Sequence, residues 1–306
     1  MKTLHPSRQS GLSLVELMVA IVLGLLLIGG VLQIFLSSNK TYKTNLALSE
    51  VQEAGRFAME FLTFDIRNAS YRGECVGSLN KLNYDERYQL TPGIKGWKVP
   101  TSTPTPTPKG APDTWQLPEG FPGTDIILIK HAANSAGVKI TSIPDSSIAR
   151  SIPAGELLVI SEPVGCDIFV NPGASSENSS VDFRYNYSQK AELLKYQSSI
   201  YYIDKDTRSL RRISYSKPNK DNIEKPISEE LVQGIQDLQI KYAQGGDSTG
   251  NIVGDYVDAD DISDWSSVIA VKINLTAVSS SKNLGPNDQP IKQVFSTTVG
   301  IRNRLP

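Results

Sequence analysis

Residues Gly11–Leu36, GLSLVELMVAIVLGLLLIGGVLQIFL, form an apolar run of 26 residues with one ionisable group, Glu16. As a helix rising ~1.5 Å per residue the run is ~39 Å long, enough to cross a ~30 Å hydrocarbon layer with some tilt. The lone carboxylate needs a reason, because a carboxylate deep in a bilayer costs ~2.5–3.5 kcal/mol and such groups are usually functional. Ahead of the run lies a short polar segment, Met1–Ser10, with Lys2 and Arg8. An ordinary secretory signal has an apolar core of roughly 7–15 residues followed by a small-residue cleavage site. Here the core is longer, and the small residue, Gly11, stands in front of it.

The segment Gly11-Leu12-Ser13-Leu14-Val15-Glu16 resembles the prepilin peptidase site of type IV pilins and pseudopilins: a glycine, four mostly apolar residues and a glutamate opening a long apolar helix. The resemblance implies cleavage after Gly11 and an N-methylated Leu12 as the mature N-terminus. It implies that Glu16 meets the N-terminal amine of a neighbouring subunit. A plain signal anchor with an incidental glutamate is the bland alternative; the coincidence of glycine, glutamate and a short basic leader speaks against it. The positive-inside count is nearly a tie, Lys2 and Arg8 before the run against Lys40 and Lys43 after it. Orientation therefore follows the cleavage signature, with the leader in the cytoplasm and everything after Leu36 outside the inner membrane.

A net charge of −1 gives no reason to expect electrostatic capture of nucleic acid. With 39% apolar and 21% charged residues the remainder suits a folded domain behind the membrane segment. The two cysteines, Cys75 and Cys166, both follow the run, and an even pair outside the cytoplasm is a disulfide candidate.

Past Leu36 the pattern becomes amphipathic. Leu48, Val51, Ala54, Ala58, Phe61, Leu62, Ile66 and Ala69 recur three and four apart, among Glu50, Glu53, Arg56, Glu60 and Arg67. This spacing predicts a helix laid against a domain. The expected division is a leader at 1–11, a transmembrane and filament-core helix at 12–36, an amphipathic helix at 37–72, and a β-rich periplasmic domain at 73–306. No proline interrupts the helix, which leaves Gly24, Gly29 and Gly30 as soft points and Gly73 as a left-handed cap. Residues 76–122 show little periodicity and include a Pro/Thr-rich loop at 99–112, with Trp97 and Trp115 at its flanks.

From Thr124 the period becomes two. Asp125–Lys130, Val138–Ile143, Glu156–Ser161 and Asp167–Val170 read as strands, and Ser199–Asp204 with Arg208–Ser214 as a hairpin. Alternation at Leu238, Ile240 and Tyr242, from Ile269 to Ala277, and from Phe295 to Ile301 predicts antiparallel strands with one buried face. The fold class is α+β: a long N-terminal helix packed on an antiparallel β-sheet domain, pilin-like in its outline.

The second half sharpens the resemblance. Leu231-Val232-Gln233-Gly234-Ile235 running on to Tyr242, Trp265 to Ile273, and Phe295 to Arg304 are similar to segments of PilW minor pilins. So are Gly55-Arg56-Phe57-Ala58, Asp65-Ile66-Arg67 and Tyr71-Arg72-Gly73. The resemblance implies a minor pilin, a non-enzymatic structural subunit that helps start type IV pilus assembly at or near the tip, in a fibre used for adhesion and twitching motility. Its implied partners are the prepilin peptidase, other minor pilins, the major pilin, the inner-membrane assembly platform and a tip adhesin. The related alternative is a J-type pseudopilin of type II secretion, and a more distant one is a membrane-anchored periplasmic enzyme.

The residues offer little chemistry for the enzyme reading. His5 falls in the leader, leaving His131 as the sole histidine of the mature chain. There is no P-loop, GxGxxG, GxSxG or His/Cys metal spacing, and no cofactor is expected. Asp255, Asp258, Asp260, Asp261 and Asp264 form an acidic loop, a weak calcium candidate whose spacing is not that of an EF-hand.

Overall fold

The computed structural model describes residues 13–75, 77, 79–82, 84–101, 122–135, 152–173, 181–204, 206–217, 228–246, 251–282, 284, 285, 287 and 289–304. Gly11, Leu12, the expected strand at Val138–Ile143, Trp115 and most of the 99–112 loop lie outside the described residues.

A single helix, α1, spans Leu14–Asn68 and runs without a break through Gly24, Gly29 and Gly30. Its 55 residues make it ~82 Å long. It stops at Asn68 rather than near residue 72, and the left-handed residue beyond its end is Ser70 (φ 65°). Gly73 is also left-handed (φ 84°) but lies too far on to be the cap. The reason is tertiary. The Ser70 N–H donates to the Lys130 carbonyl and the Ala132 N–H donates to the Tyr71 carbonyl, so the chain leaves the helix to pair with a strand.

Eleven strands follow among the described residues: β1 (Ile94–Lys98), β2 (Asp125–Ser135), β3 (Leu157–Glu162), β4 (Gly165–Val170), β5 (Glu192–Ile203), β6 (Ser209–Tyr215), β7 (Ser228–Gln233), β8 (Ile235–Gly245), β9 (Ile252–Val257), β10 (Val268–Val278) and β11 (Lys292–Gly300). They form two antiparallel sheets. The seven-stranded sheet has the order β1-β2-β5-β3-β4, and β6 and β7 extend from β5. The long β5 pairs β3 along its first part, as in Ser161↔Glu192, and β6 along its second, as in Ile203↔Leu210. The four-stranded sheet has the order β11-β10-β8-β9.

The chain passes from one sheet to the other at Gly234, the residue between β7 and β8. Its φ is +75°, and a side chain there would meet the Val278 carbonyl, so glycine suits both the turn and the close approach.

The four-stranded sheet follows the alternation. Leu238, Ile240 and Tyr242 face Leu275, Ile273 and Val271 across the β8–β10 ladder and are buried, while Lys241 lies opposite Lys272 on the outer face. The seven-stranded sheet departs from the one-buried-face expectation. Ile127 and Ile129 of β2 join the core beneath α1, and Ile126 and Leu128 pack on the other face with Tyr88, Leu90 and Trp97. Burial on both faces is why DIILIK reads as a continuous apolar run. Strands β1, β7 and β9 had no periodic signature: IKGWK, SEELVQ and IVGDYV each carry a glycine or charges where alternation would need apolar residues.

Candidate assembly helix and its anchorage

Helix α1 divides by burial. No described residue before Ala47 is buried, so Leu14–Leu46 projects from the domain as ~50 Å of free helix. It is the helix among the described residues that is long and apolar enough to cross a membrane. Glu16 lies in its first turn, where the unpaired N–H groups of the helix end favour a carboxylate.

The second half docks through a mixed face in which small and large residues alternate. Ala47, Val51, Gly55, Ala58, Leu62, Asp65 and Ile66 face the domain, against β10 and β11 and in the common core. Gly55 is required by packing: a side chain there would run into the Phe295 ring of β11. Leu48 and Phe61, expected on the inner face, are exposed instead. The approach is tightest at Gly55, while Leu62 and Ile66 further along are fully buried against the domain.

Two polar features fix the docked half. Asp65, 4% exposed, sits inside the interface. The Tyr201 hydroxyl donates to Asp65 Oδ2 at 2.5 Å, the Gln197 amide reaches the same oxygen at 3.4 Å, and His131 Nε2 lies 3.5 Å from Asp65 Oδ1. Burial, then the Asp65 charge, pushes the Tyr201 hydroxyl well above its ordinary pKa, so it stays a donor. His131 is thus enclosed between helix and sheet, while the Tyr201 hydroxyl and the Gln197 amide tie the two together through Asp65. The second feature closes the helix end. Asn303 Nδ2 donates to the Ala69 carbonyl (3.4 Å), and Arg304 Nε donates to Ser70 Oγ (3.1 Å). Arg304 Nη1 also donates to the carbonyls of Trp265 and Val268 at 2.7 and 2.8 Å. Burial lowers the Arg304 pKa to about 10, still far above neutral.

Further anchors lie beyond the helix. A disulfide joins Cys75 to Cys166 of β4, with Cα atoms 5.6 Å apart and a sequence separation of 91. Lys130 is wholly buried in β2, where its Nζ donates to the Glu86 carbonyl at 2.8 Å. Burial lowers its pKa to about 7. Asp125, also buried, accepts from the Ile240 N–H at 2.6 Å and from Lys98 Nζ at 3.3 Å, and so links the two sheets. Burial raises its pKa to about 6.

The acidic loop does not converge. Asp258 pairs with Lys98 at 3.5 Å and with Lys241 at 4.0 Å, and Asp264 caps the turn at Trp265–Ser267 by accepting from the Ser266 N–H. Asp255, Asp260 and Asp261 are not gathered with them, and no cluster of three or more His, Cys, Asp or Glu fit to hold a metal occurs among the described residues. Asp65, Lys130 and Arg304 are the anchoring residues that spacing alone did not flag. For the first two a signal exists, a charge at a core-facing position of an apolar pattern.

With this geometry in view, the comparisons with known proteins fall into place on the chain. Residues 6–32 match the family described as the prokaryotic N-terminal methylation motif. Residues 200–303 match the family described as type IV pilus-assembly protein W, PilW. No curated protein matches the chain. Among solved structures it is similar to a type IV-like pilin from Thermus thermophilus, at 9% identity and a TM-score of 0.35, covering 85% of this chain and 98% of that one. The methylation motif opening one long apolar helix, with antiparallel sheets behind it, defines a type IV pilin-class protein. Within that class the PilW match runs from the end of β5 through the Asn303 clasp, and with the methylation motif it supports a minor pilin similar to the PilW family.

Proposed function

We propose that this minor pilin helps to start type IV pilus assembly and occupies a place at or near the fibre tip, as a structural subunit without catalytic activity. The observation that carries the reading is one continuous helix whose first half is apolar, exposed and marked by a single acid, and whose second half is clamped to a PilW domain. In this reading the prepilin peptidase cuts after Gly11 and exposes the Leu12 amine. The sheet domain lies on the periplasmic side while α1 spans the inner membrane. The assembly platform then moves the helix out of the bilayer into a bundle with other minor pilins and the major pilin. Glu16 neutralises a neighbour's amine there, where an unpaired charge is costly. The outward surfaces of the domain remain for a tip adhesin. The family description names pilus assembly, which favours this reading over the secretion pseudopilin.

Intact-mass and N-terminal peptide analysis tests it. The expected chain begins at methylated Leu12 and is recovered in sheared pili. A mature chain that keeps Met1–Gly11 overturns the reading.

A further inference from the structure

The strands at the edges of the two sheets are not treated alike. A row of unpaired N–H and C=O groups is a template for another strand, and folded proteins usually blunt it. On β4, Asn80 Nδ2 donates to the Ile168 carbonyl at 2.8 Å and the Ile168 N–H donates to Asn80 Oδ1 at 2.7 Å, so one side-chain amide fills the place of a strand. Arg184 Nη2 adds a bond to the Cys166 carbonyl. Strand β1 packs against the turns at Ala259–Asp261 and Trp265–Ser267. Strands β7 and β9 are short, and each breaks register against its neighbour; Gly254 of β9 is also left-handed (φ 79°).

Strand β11 has none of these devices. Its 9 residues pair β10 in unbroken register. The flanking bonds, from the Ser279 N–H to the Ile291 carbonyl and from the Ile301 N–H to the Ile269 carbonyl, fix the phase of the ladder: the odd-numbered residues of β11 bond to β10. Antiparallel pairing alternates, so Lys292, Val294, Ser296 and Thr298 turn their N–H and C=O groups outward. Each is exposed, Val294 by 65%, and no described residue beyond β10 hydrogen-bonds to their backbones.

Direction selects the occupant. Strand β11 runs alongside α1 in the same sense: Glu50 accepts from the Ser280 N–H and hydroxyl before the strand, Phe295 lies against Gly55, and Asn303 reaches the Ala69 carbonyl after it. Copies anchored by their own α1 in one bilayer therefore present β11 in one direction, and could pair these edges only in parallel, the less stable arrangement. A strand of another chain is free to run antiparallel. Its C-terminal end then comes to Lys292, which has no ion pair among the described residues and favours an acid opposite it.

We propose that the free edge of β11 takes up an extended segment of a different chain: about seven residues, ~23 Å long, antiparallel to β11, β-branched at alternate positions and acidic where it passes Lys292. The main chain supplies the binding and the side chains set the register. The inference rests on the minor-pilin reading for the shared direction of the helices.

A photo-crosslinking phenylalanine analogue at position 294 of the full-length chain, in cells assembling pili, tests it. Position 253, 61% exposed on the blunted edge of the same sheet, is the control. The expected adduct maps by mass spectrometry to one short segment of a different chain, and is roughly ten-fold weaker from position 253. Ser296→Pro removes an outward N–H and no bond to β10, and should cut the adduct roughly ten-fold, whereas Ser296→Ala should leave it unchanged, because the backbone does the binding. Where Ser296→Pro fails to fold, Lys292→Glu, which leaves the backbone alone, should cut the adduct roughly three-fold. An adduct with a second copy, with the chain's own segments or with lipid alone overturns the proposal. So does one no stronger than at position 253, one lost equally in Ser296→Ala, or one unchanged in a folded Ser296→Pro chain or, failing that chain, in Lys292→Glu. The minor-pilin reading stands through each of these if the chain is cleaved and enters pili; a chain that stays uncleaved and outside pili overturns both.

Discussion

Glu16 is exposed in the first turn of α1, with no hydrogen bond or ion pair to a described residue, and the proposed role for it is to meet a neighbour's amine. Replacing it makes the segment more apolar, and membrane insertion should not suffer. Glu16→Ala should therefore leave insertion and most cleavage intact while incorporation into sheared pili falls sharply. The loss expected is that of a buried ammonium without its partner, ~3–5 kcal/mol. Comparing variant in pili with variant cleaved in the membrane checks this, and wild-type incorporation would rule the charge pair out. Asp125 and Lys130 give the domain an unusual pH response. Burial raises the Asp125 pKa from 3.8 to about 6, so the folded state holds the proton more tightly and the Asp125 contribution falls as pH rises from 4 to 6. Burial lowers the Lys130 pKa from 10.5 to about 7, so the folded state gives up its proton more easily and the Lys130 contribution rises with pH from 7 to 10.5. Together the two are least favourable between about 6 and 7. Thermal unfolding across pH should show Asp125→Asn flattening the acid limb and Lys130→Met the alkaline one; wild-type slopes in both variants would refute the assignment.

At the level of elements, α1 was the most legible part, because 3.6-residue periodicity and the absence of proline need no tertiary information. Its end was not legible, since the helix stops where Ser70 and Tyr71 pair with β2, a contact between residues far apart in sequence. The inward face was half legible. Spacing marked the stripe, but whether Gly55 or Phe61 turned inward depended on how closely Phe295 approaches. Strands β10 and β11 could be read from alternation, whereas β1, with a glycine and two lysines, had no pattern to read. The role of Arg304 was not legible in spacing, because two of its partners are carbonyls, which every residue has. Arg304→Ala strips two carbonyls and Ser70 Oγ of their donor. About 2–4 kcal/mol of domain stability should go with it, at ~1.5–3 kcal/mol for a hydrogen bond to a charged group and less than full additivity. A lower melting temperature together with faster amide exchange at residues 62–71 is the expected result; unchanged exchange there would mean the clasp does not hold the helix end.

Across the whole molecule, the Cys75–Cys166 bridge ties the segment that leaves the helix to the edge strand β4 of the larger sheet. Closing a loop with a sequence separation of 91 is worth ~4–5 kcal/mol in the chain-entropy model. Alkylation of denatured, unreduced protein should label neither cysteine, and Cys75→Ala with Cys166→Ala should lower the melting temperature; labelling of both would dismiss the bridge. The Asn303 and Arg304 clasp has a consequence in time. Ala69 and Asn303, and likewise Ser70 and Arg304, are 234 residues apart. At roughly 5–20 residues per second a ribosome needs about 10–50 s to travel that distance. For that interval the helix is already made while the strands that cradle it are still being synthesised. A growing chain therefore carries the docking face of α1, from Ala47 to Ile66, uncovered long before its own sheet can claim it.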